Sequence, residues 1–149
     1  MVVDTSALLA ILQDEPERRA FNEAIEAADS RAVSVATFVE TSIVLEARFG
    51  AGGVRDLDLF IERAGIELID VDVEQARTAR RAFARYGKGQ HKAGLNFGDC
   101  FSYALASVRG DQTTFVWHPA STAPSVSTDY CGIVRNGTTP SGVLTPLRS

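Results

Sequence analysis

The sequence predicts an α/β domain in which a mostly parallel, four-stranded sheet is covered by helices on both faces. Three observations lead there. Short β-branched runs recur along the chain, stretches with helical spacing separate them, and the two alternate in order as far as residue 117. A chain of 149 residues, 45% hydrophobic, is long enough for one domain with a real core.

The first strand is expected over residues 1–3, ending abruptly at Asp4. A helix follows over 5–12, with Thr5 or Ser6 as its N-cap. Pro16 suits the first turn of a second helix, whose apolar side is Ala20, Phe21, Ala24 and Ile25. A second strand is expected over 31–35 and a long helix over 36–49, closed by Gly50 at its C-terminal cap. Gly52-Gly53 reads as a hinge before another helix over 54–64. A third strand over 66–71, helices over 73–86 and 97–108, and a fourth strand over 113–117 complete the alternation. The ordered domain is therefore expected to span 1–117. Residues 118–149 hold four of the five prolines and are crowded with Ser, Thr and Gly, so they read as an irregular, poorly ordered tail.

Charged residues make up 23% of the chain and the formal net charge is −4, so nucleic acid could be met only by a local basic patch. The two cysteines, Cys100 and Cys131, do not form a disulfide framework, and no apolar run nears the length of a membrane span. A cytoplasmic protein is expected.

Three acids stand out. Asp4 follows the first strand, where open α/β sheets place ligands. Glu40 falls in the pattern Ala36, Ile43, Val44, Ala47, which would set it on the sheet-facing stripe of its helix. Asp99 opens the helix whose apolar face is expected to be Phe97, Phe101, Ala104, Leu105 and Val108. Carboxylates that converge repel one another, and hard cations such as Mg2+ or Mn2+ relieve that repulsion. Each acid also has a plainer reading: Asp4 and Asp99 as helix caps, and Glu40 as a solvated or ion-paired residue, with Arg48 as its partner. Ser6 is either an auxiliary donor near the metal or another cap.

Val3-Asp4-Thr5-Ser6-Ala7, Val39-Glu40-Thr41-Ser42 and the run from Leu95 to Ala104 (LNFGDCFSYA) resemble PIN-domain ribonucleases, and among them the VapC-type toxins of toxin–antitoxin pairs. The resemblance covers about residues 1–110 and includes the order and spacing of all three acids. It implies a three-layer α/β/α PIN fold, Mg2+ or Mn2+ as cofactor, an RNA substrate, a homodimer and inhibition by a VapB-type antitoxin. Asp4, Glu40 and Asp99 would then be the catalytic metal ligands. Arg77, Arg80, Arg81, Arg85, Lys88 and Lys92, with no acid between the first and the last, would steer RNA through phosphate contacts; a solvated helix face is the plainer reading. His91 and Glu46 are lesser candidates, and Cys100 reads as buried packing.

The ending departs from the family. Its members carry a further acid after the fourth strand, whereas here the strand TTFVW runs into His118-Pro119-Ala120 and no acid follows until Asp129. A reading-frame change near Asp111 is one origin for such a break, and translating the neighbouring frames of the gene tests it. The alternative function is accordingly a catalytically impaired PIN-like protein that only binds antitoxin. Two other enzyme and signalling classes fit less well. An aspartyl-nucleophile phosphotransferase wants a second Asp where Ser6 stands, and a receiver module with Asp70 as acceptor wants an acid pair where Asp4 is alone.

Overall fold

The structure is a computed structural model and describes residues 1–91, 93–109, 115–117 and 132–134. Ten elements follow in order: β1 (Val2–Val3), α1 (Thr5–Leu12), α2 (Arg18–Glu26), β2 (Ala32–Ser34), α3 (Val35–Arg63), β3 (Glu67–Ile69), α4 (Val73–Tyr86), α5 (Phe97–Arg109), β4 (Phe115–Trp117) and β5 (Gly132–Val134). The sheet order is β3-β2-β1-β4-β5. β1, β2, β3 and β4 run parallel, and β5 lies antiparallel to β4. Among the described residues the sheet has five strands where four were expected. Three residues of the segment read as an irregular tail form the added edge strand; the rest of 118–149 lies outside the described residues.

Adjacent residues of a strand point to opposite faces of the sheet, and that alternation builds the two sides of this core. Val3 and Val33 pack with Leu8, Phe21, Leu45 and Leu57 of α1, α2 and α3. Their neighbours Val2 and Ala32 turn the other way and meet Leu105 of α5. α4 closes against α5 through Ala79, Ala82, Tyr86, Tyr103 and Ala104. The result is three layers, helix–sheet–helix, as expected. β3 is a three-residue edge strand that exposes the charge of Glu67, and both features limit its use as a template for another strand.

α3 breaks at Gly50, as expected, into two helices joined across a kink. That residue adopts φ 62°, ψ −156°, a backbone open to glycine at little cost, and the chain resumes helical geometry at once. The break therefore sits at Gly50, and the expected Gly52-Gly53 hinge lies within the resumed helix, where Gly53 packs against Leu45 and Phe49. The N-cap of α1 is Asp4, not Thr5 or Ser6.

Arg31 joins the ends of two helices. Its guanidinium donates to the carbonyls of Ile25, Glu26 and Ala28 at the end of α2 and to that of Ala64 at the end of α3. Carbonyls at a helix C-terminus lack intrahelical partners and carry the negative end of the dipole, so a planar cation with five donors suits this place. Arg31→Ala is expected to lower stability by about 2 kcal/mol in urea denaturation, and Arg31→Lys to restore less than half of that.

Candidate functional site

Asp4 leaves the C-terminal end of β1, whose neighbours in the sheet are β2 and β4. The chain has built outward through β2 and β3 and then crosses to β4, so Asp4 stands beside the point where the strand order reverses. Its side chain is wholly buried. Oδ2 accepts from the Ser6 amide at 3.1 Å and the Ser6 hydroxyl at 2.6 Å, and Oδ1 accepts from Ser102 Oγ at 3.3 Å. Burial raises the Asp4 pKa, the Ser6 hydrogen bonds oppose that rise, and the nearby charge of Glu40 adds to it. Among the described residues no Lys or Arg pairs with Asp4 or Glu40; the ion pairs found there join exposed or half-exposed side chains elsewhere.

Glu40 reaches the same place from α3, though not from the stripe expected. The buried line of that helix is Thr37, Thr41 and Leu45, at spacings of four. Ile43, expected to be core, is 64% exposed, and Glu40 is half-buried at the margin. Its carboxylate is held by Thr5 Oγ1 on one oxygen at 2.6 Å and by the Gly98 amide on the other at 3.3 Å. The predicted ion pair with Arg48 is absent: Arg48 donates to Gln13 instead.

Asp99 is buried in the first turn of α5. It accepts from the Asn96 amide through Oδ2 at 2.7 Å, while Asn96 Oδ1 accepts from the Asp99 amide at 2.9 Å. This reciprocal pair is a capping box, so the plainer reading of Asp99 as a cap contributor holds alongside its place near the other acids. The face of α5 is also corrected. Ala104 and Leu105 are buried as expected, but Phe97 and Val108 are 65% and 42% exposed, and Asp99, Cys100, Ser102 and Tyr103 also face inward. Burial, followed by the charges of Asp99 and Glu40, pushes the Cys100 thiol up to about 12, so it stays protonated at neutral pH and is packing, as expected.

The structure thus joins Asp4 and Glu40 through Thr5 and sets Asp99 one residue beyond the Gly98 amide that holds Glu40. Among the described residues no three Asp, Glu, His or Cys side chains stand as a ready metal cage. Mg2+ does not require one, because it keeps several waters and binds through one or two carboxylates plus substrate phosphate. The donor set of hard carboxylate oxygens fits that ion. A buried acid with no cationic partner among the described residues is the local reason to expect a cation there.

Sequence reading missed Thr5, Thr37, Gly98 and Ser102. A signal existed: Thr37 lies three residues before Glu40 and Ser102 three after Asp99, which places hydroxyls one helical turn from each acid. Ser6 contacts Asp4 directly through its hydroxyl and amide, and it is not the cap of α1.

The basic residues lie on α4 and the loop after it. Arg77, Arg80, Arg81, Arg85 and Lys88 are all exposed, opposite the buried line Gln75, Thr78, Ala79, Ala82 and Tyr86. Among the described residues none is paired with a carboxylate; Arg81 donates to Thr78 and Arg85 lies over the Tyr86 ring. The loop is closed by mutual backbone bonds between 86–88 and Leu95, which lead straight into α5. His91 is exposed and its Nδ1 accepts from the Ala93 amide. Glu46 is exposed. Lys92, Asp111, His118 and Asp129 lie outside the described residues.

The family model for the PIN domain matches residues 1–113. The chain belongs to the PIN-domain family. Ribonuclease VapC30 of Mycobacterium tuberculosis is 52% identical over 115 residues, 77% of this chain and 88% of that relative. Ribonuclease VapC of Mycolicibacterium smegmatis is 54% identical over 115 residues, 77% of this chain and 89% of that relative. This PIN domain is therefore of the VapC type. A solved structure of Mycobacterium tuberculosis VapC20, described as a sarcin-ricin loop cleaving toxin, shares the fold with a TM-score of 0.58 at 16% identity. It covers 72% of this chain and 82% of that one. No helix among the described residues is long and apolar enough to cross a membrane.

Proposed function

We propose that this chain is the toxin of a toxin–antitoxin pair, a Mg2+- or Mn2+-dependent endoribonuclease that works as a homodimer and is held inactive by a VapB-type antitoxin. The observation that carries the reading is Asp4: a wholly buried carboxylate at the sheet's switch point, set against Glu40, with no basic partner among the described residues. The relatives named as VapC ribonucleases support it. Asp4 and Glu40 would hold the ion, with Asp99 completing the set. The ion supplies an acidified water and charge stabilisation at the phosphodiester. The protein's own part is to keep Asp4 dry, to hold Glu40 in place through Thr5 and Gly98, and to bring RNA in by the basic face of α4.

Incubating the protein with RNA in Mg2+ or Mn2+ tests this, beside an Asp4→Asn, Asp99→Asn double variant and a chelator control. Cleavage by the parent alone, abolished by chelation, supports the assignment; equal cleavage by parent and variant sinks it. The family match ends at residue 113 of 149, which favours a second reading in which the chain only binds antitoxin. Cleavage by neither protein, with antitoxin binding retained, would establish that one.

Arg80→Gln, Arg81→Gln and Arg85→Gln together are expected to raise the RNA KM and to flatten its dependence on salt. Every phosphate that goes unneutralised should take roughly 0.7 off the slope of log affinity against log salt for a single strand. An unchanged slope would make this a solvated helix face and nothing more.

A further inference from the structure

Beneath Asp4 lie two hydroxyls that contact no solvent. Ser102 and Thr37 are both 0% exposed. Ser102 Oγ lies 3.3 Å from Asp4 Oδ1 and 2.9 Å from Thr37 Oγ1, and Thr37 Oγ1 lies 3.4 Å from the Gly98 carbonyl. Each hydroxyl has a single proton, so two protons face three contacts and one contact must go without. The choice follows from charge and distance. A bond to an ionised oxygen is roughly twice as strong as a neutral one, and the contact to Gly98 is the longest of the three. Thr37 therefore donates to Ser102 and Ser102 donates to Asp4. The reverse order, Ser102 to Thr37 to the Gly98 carbonyl, would leave Asp4 Oδ1 buried without the Ser102 donor.

The two carboxylate oxygens of Asp4 then differ. Oδ2 is taken twice by Ser6, Oδ1 accepts from Ser102, and the Thr5 amide adds a further backbone contact to the carboxylate. We infer that Thr37 and Ser102 are positioning residues: a two-hydroxyl chain from α3 through α5 that fixes the Asp4 carboxylate in the orientation its metal needs. This rests on the metal-dependent reading above. Thr37 acts through Ser102 and touches neither ion nor substrate. It stands one helical turn from Glu40, so α3 contributes one acid directly and orients another by relay.

The test uses Mn2+ alone as probe, titrated calorimetrically into the full-length protein without RNA. Ser102→Ala and Thr37→Val should each weaken Mn2+ binding roughly tenfold, the lower end of the scale of one hydrogen bond to a charged acceptor. Combined, they should weaken it no further than either does singly, because the chain is broken at either link. Thr37→Ser, which keeps the hydroxyl and sheds a methyl, should restore tight binding. Cleavage abolished in Ser102→Ala at limiting metal should return as Mn2+ is raised. Mn2+ affinity unchanged in both Ser102→Ala and Thr37→Val, or losses that add in the double variant, would overturn the relay while leaving the metal site standing. A parent protein that binds no Mn2+ would overturn both.

Discussion

Asp4→Asn should abolish RNA cleavage, by about a thousandfold, and at the same time make the metal-free protein more stable. The two effects share a cause. Asp4 is buried with hydrogen bonds from Ser6 and Ser102 but no cation among the described residues, and Glu40 repels it. Its folded pKa is consequently raised, so the folded state favours the protonated form relative to the unfolded chain. An acid shifted this way costs nothing below its unfolded pKa near 4, and costs stability as pH rises through the window above it. The cost therefore grows as pH rises from about 4 towards neutral. Asparagine has nearly the same shape, caps α1 equally well and keeps one acceptor for Ser6, while its amide nitrogen replaces the oxygen that accepts from Ser102, so the charge and that one hydrogen bond are what change. The melting temperature without metal should rise by about 3 °C, and the advantage should shrink as pH falls towards 4. Saturating Mg2+ should reverse the order, stabilising the parent and not the variant. Differential scanning calorimetry across pH, with and without Mg2+, reads all three outcomes. A variant less stable than the parent at neutral pH would mean that Asp4 is structural.

The acids were visible in the sequence because the local patterns around them are strong. Asp4 ends an apolar run, and α4 begins and ends where its spacing and its flanking Asp72 and Gly87 dictate. The orientation of Glu40 was not visible, for a physical reason. Helical periodicity assigns Ile43 and Ala47 to the core, yet the inward line of α3 is made by Thr37, Thr41 and Leu45. Threonines can face inward because Thr41 donates to the Thr37 carbonyl and Thr37 shares its hydroxyl with Ser102, so their polar atoms are satisfied where a count of apolar residues would reject them. Ile43 and Phe97 stay outside although apolar. The same limit applied to α5, where Ser102 faces inward and Phe97 does not. Hydrogen bonds that join residues 35 to 98 positions apart, such as Thr5 to Glu40 and Ser102 to Asp4, leave no mark in a local window.

Gly98→Ala should cost about a hundredfold in cleavage while leaving stability nearly unchanged. A Cβ at Gly98 would fall within the van der Waals envelope of the Glu40 carboxylate, whose two oxygens and carboxyl carbon are its three nearest neighbours. No backbone atom is among them. The clash is therefore relieved by the far end of one flexible side chain, and the fold need not move. Against the loss of the hydrogen bonds that Thr5 and the Gly98 amide make to Glu40 stands the gain of about 1 kcal/mol from alanine over glycine inside α5. These effects are of similar size and opposite sign, so urea denaturation should show a change below about 1 kcal/mol. Function has no such offset, because Glu40 can no longer sit where it faces Asp4. In a Glu40→Ala background the clash disappears, and Gly98→Ala should then stabilise the protein and leave the residual cleavage where it was. That non-additivity isolates the contact from any general effect of substituting α5. Should Gly98→Ala cleave RNA as fast as the parent, Glu40 would be working from some position other than the one Thr5 and Gly98 define.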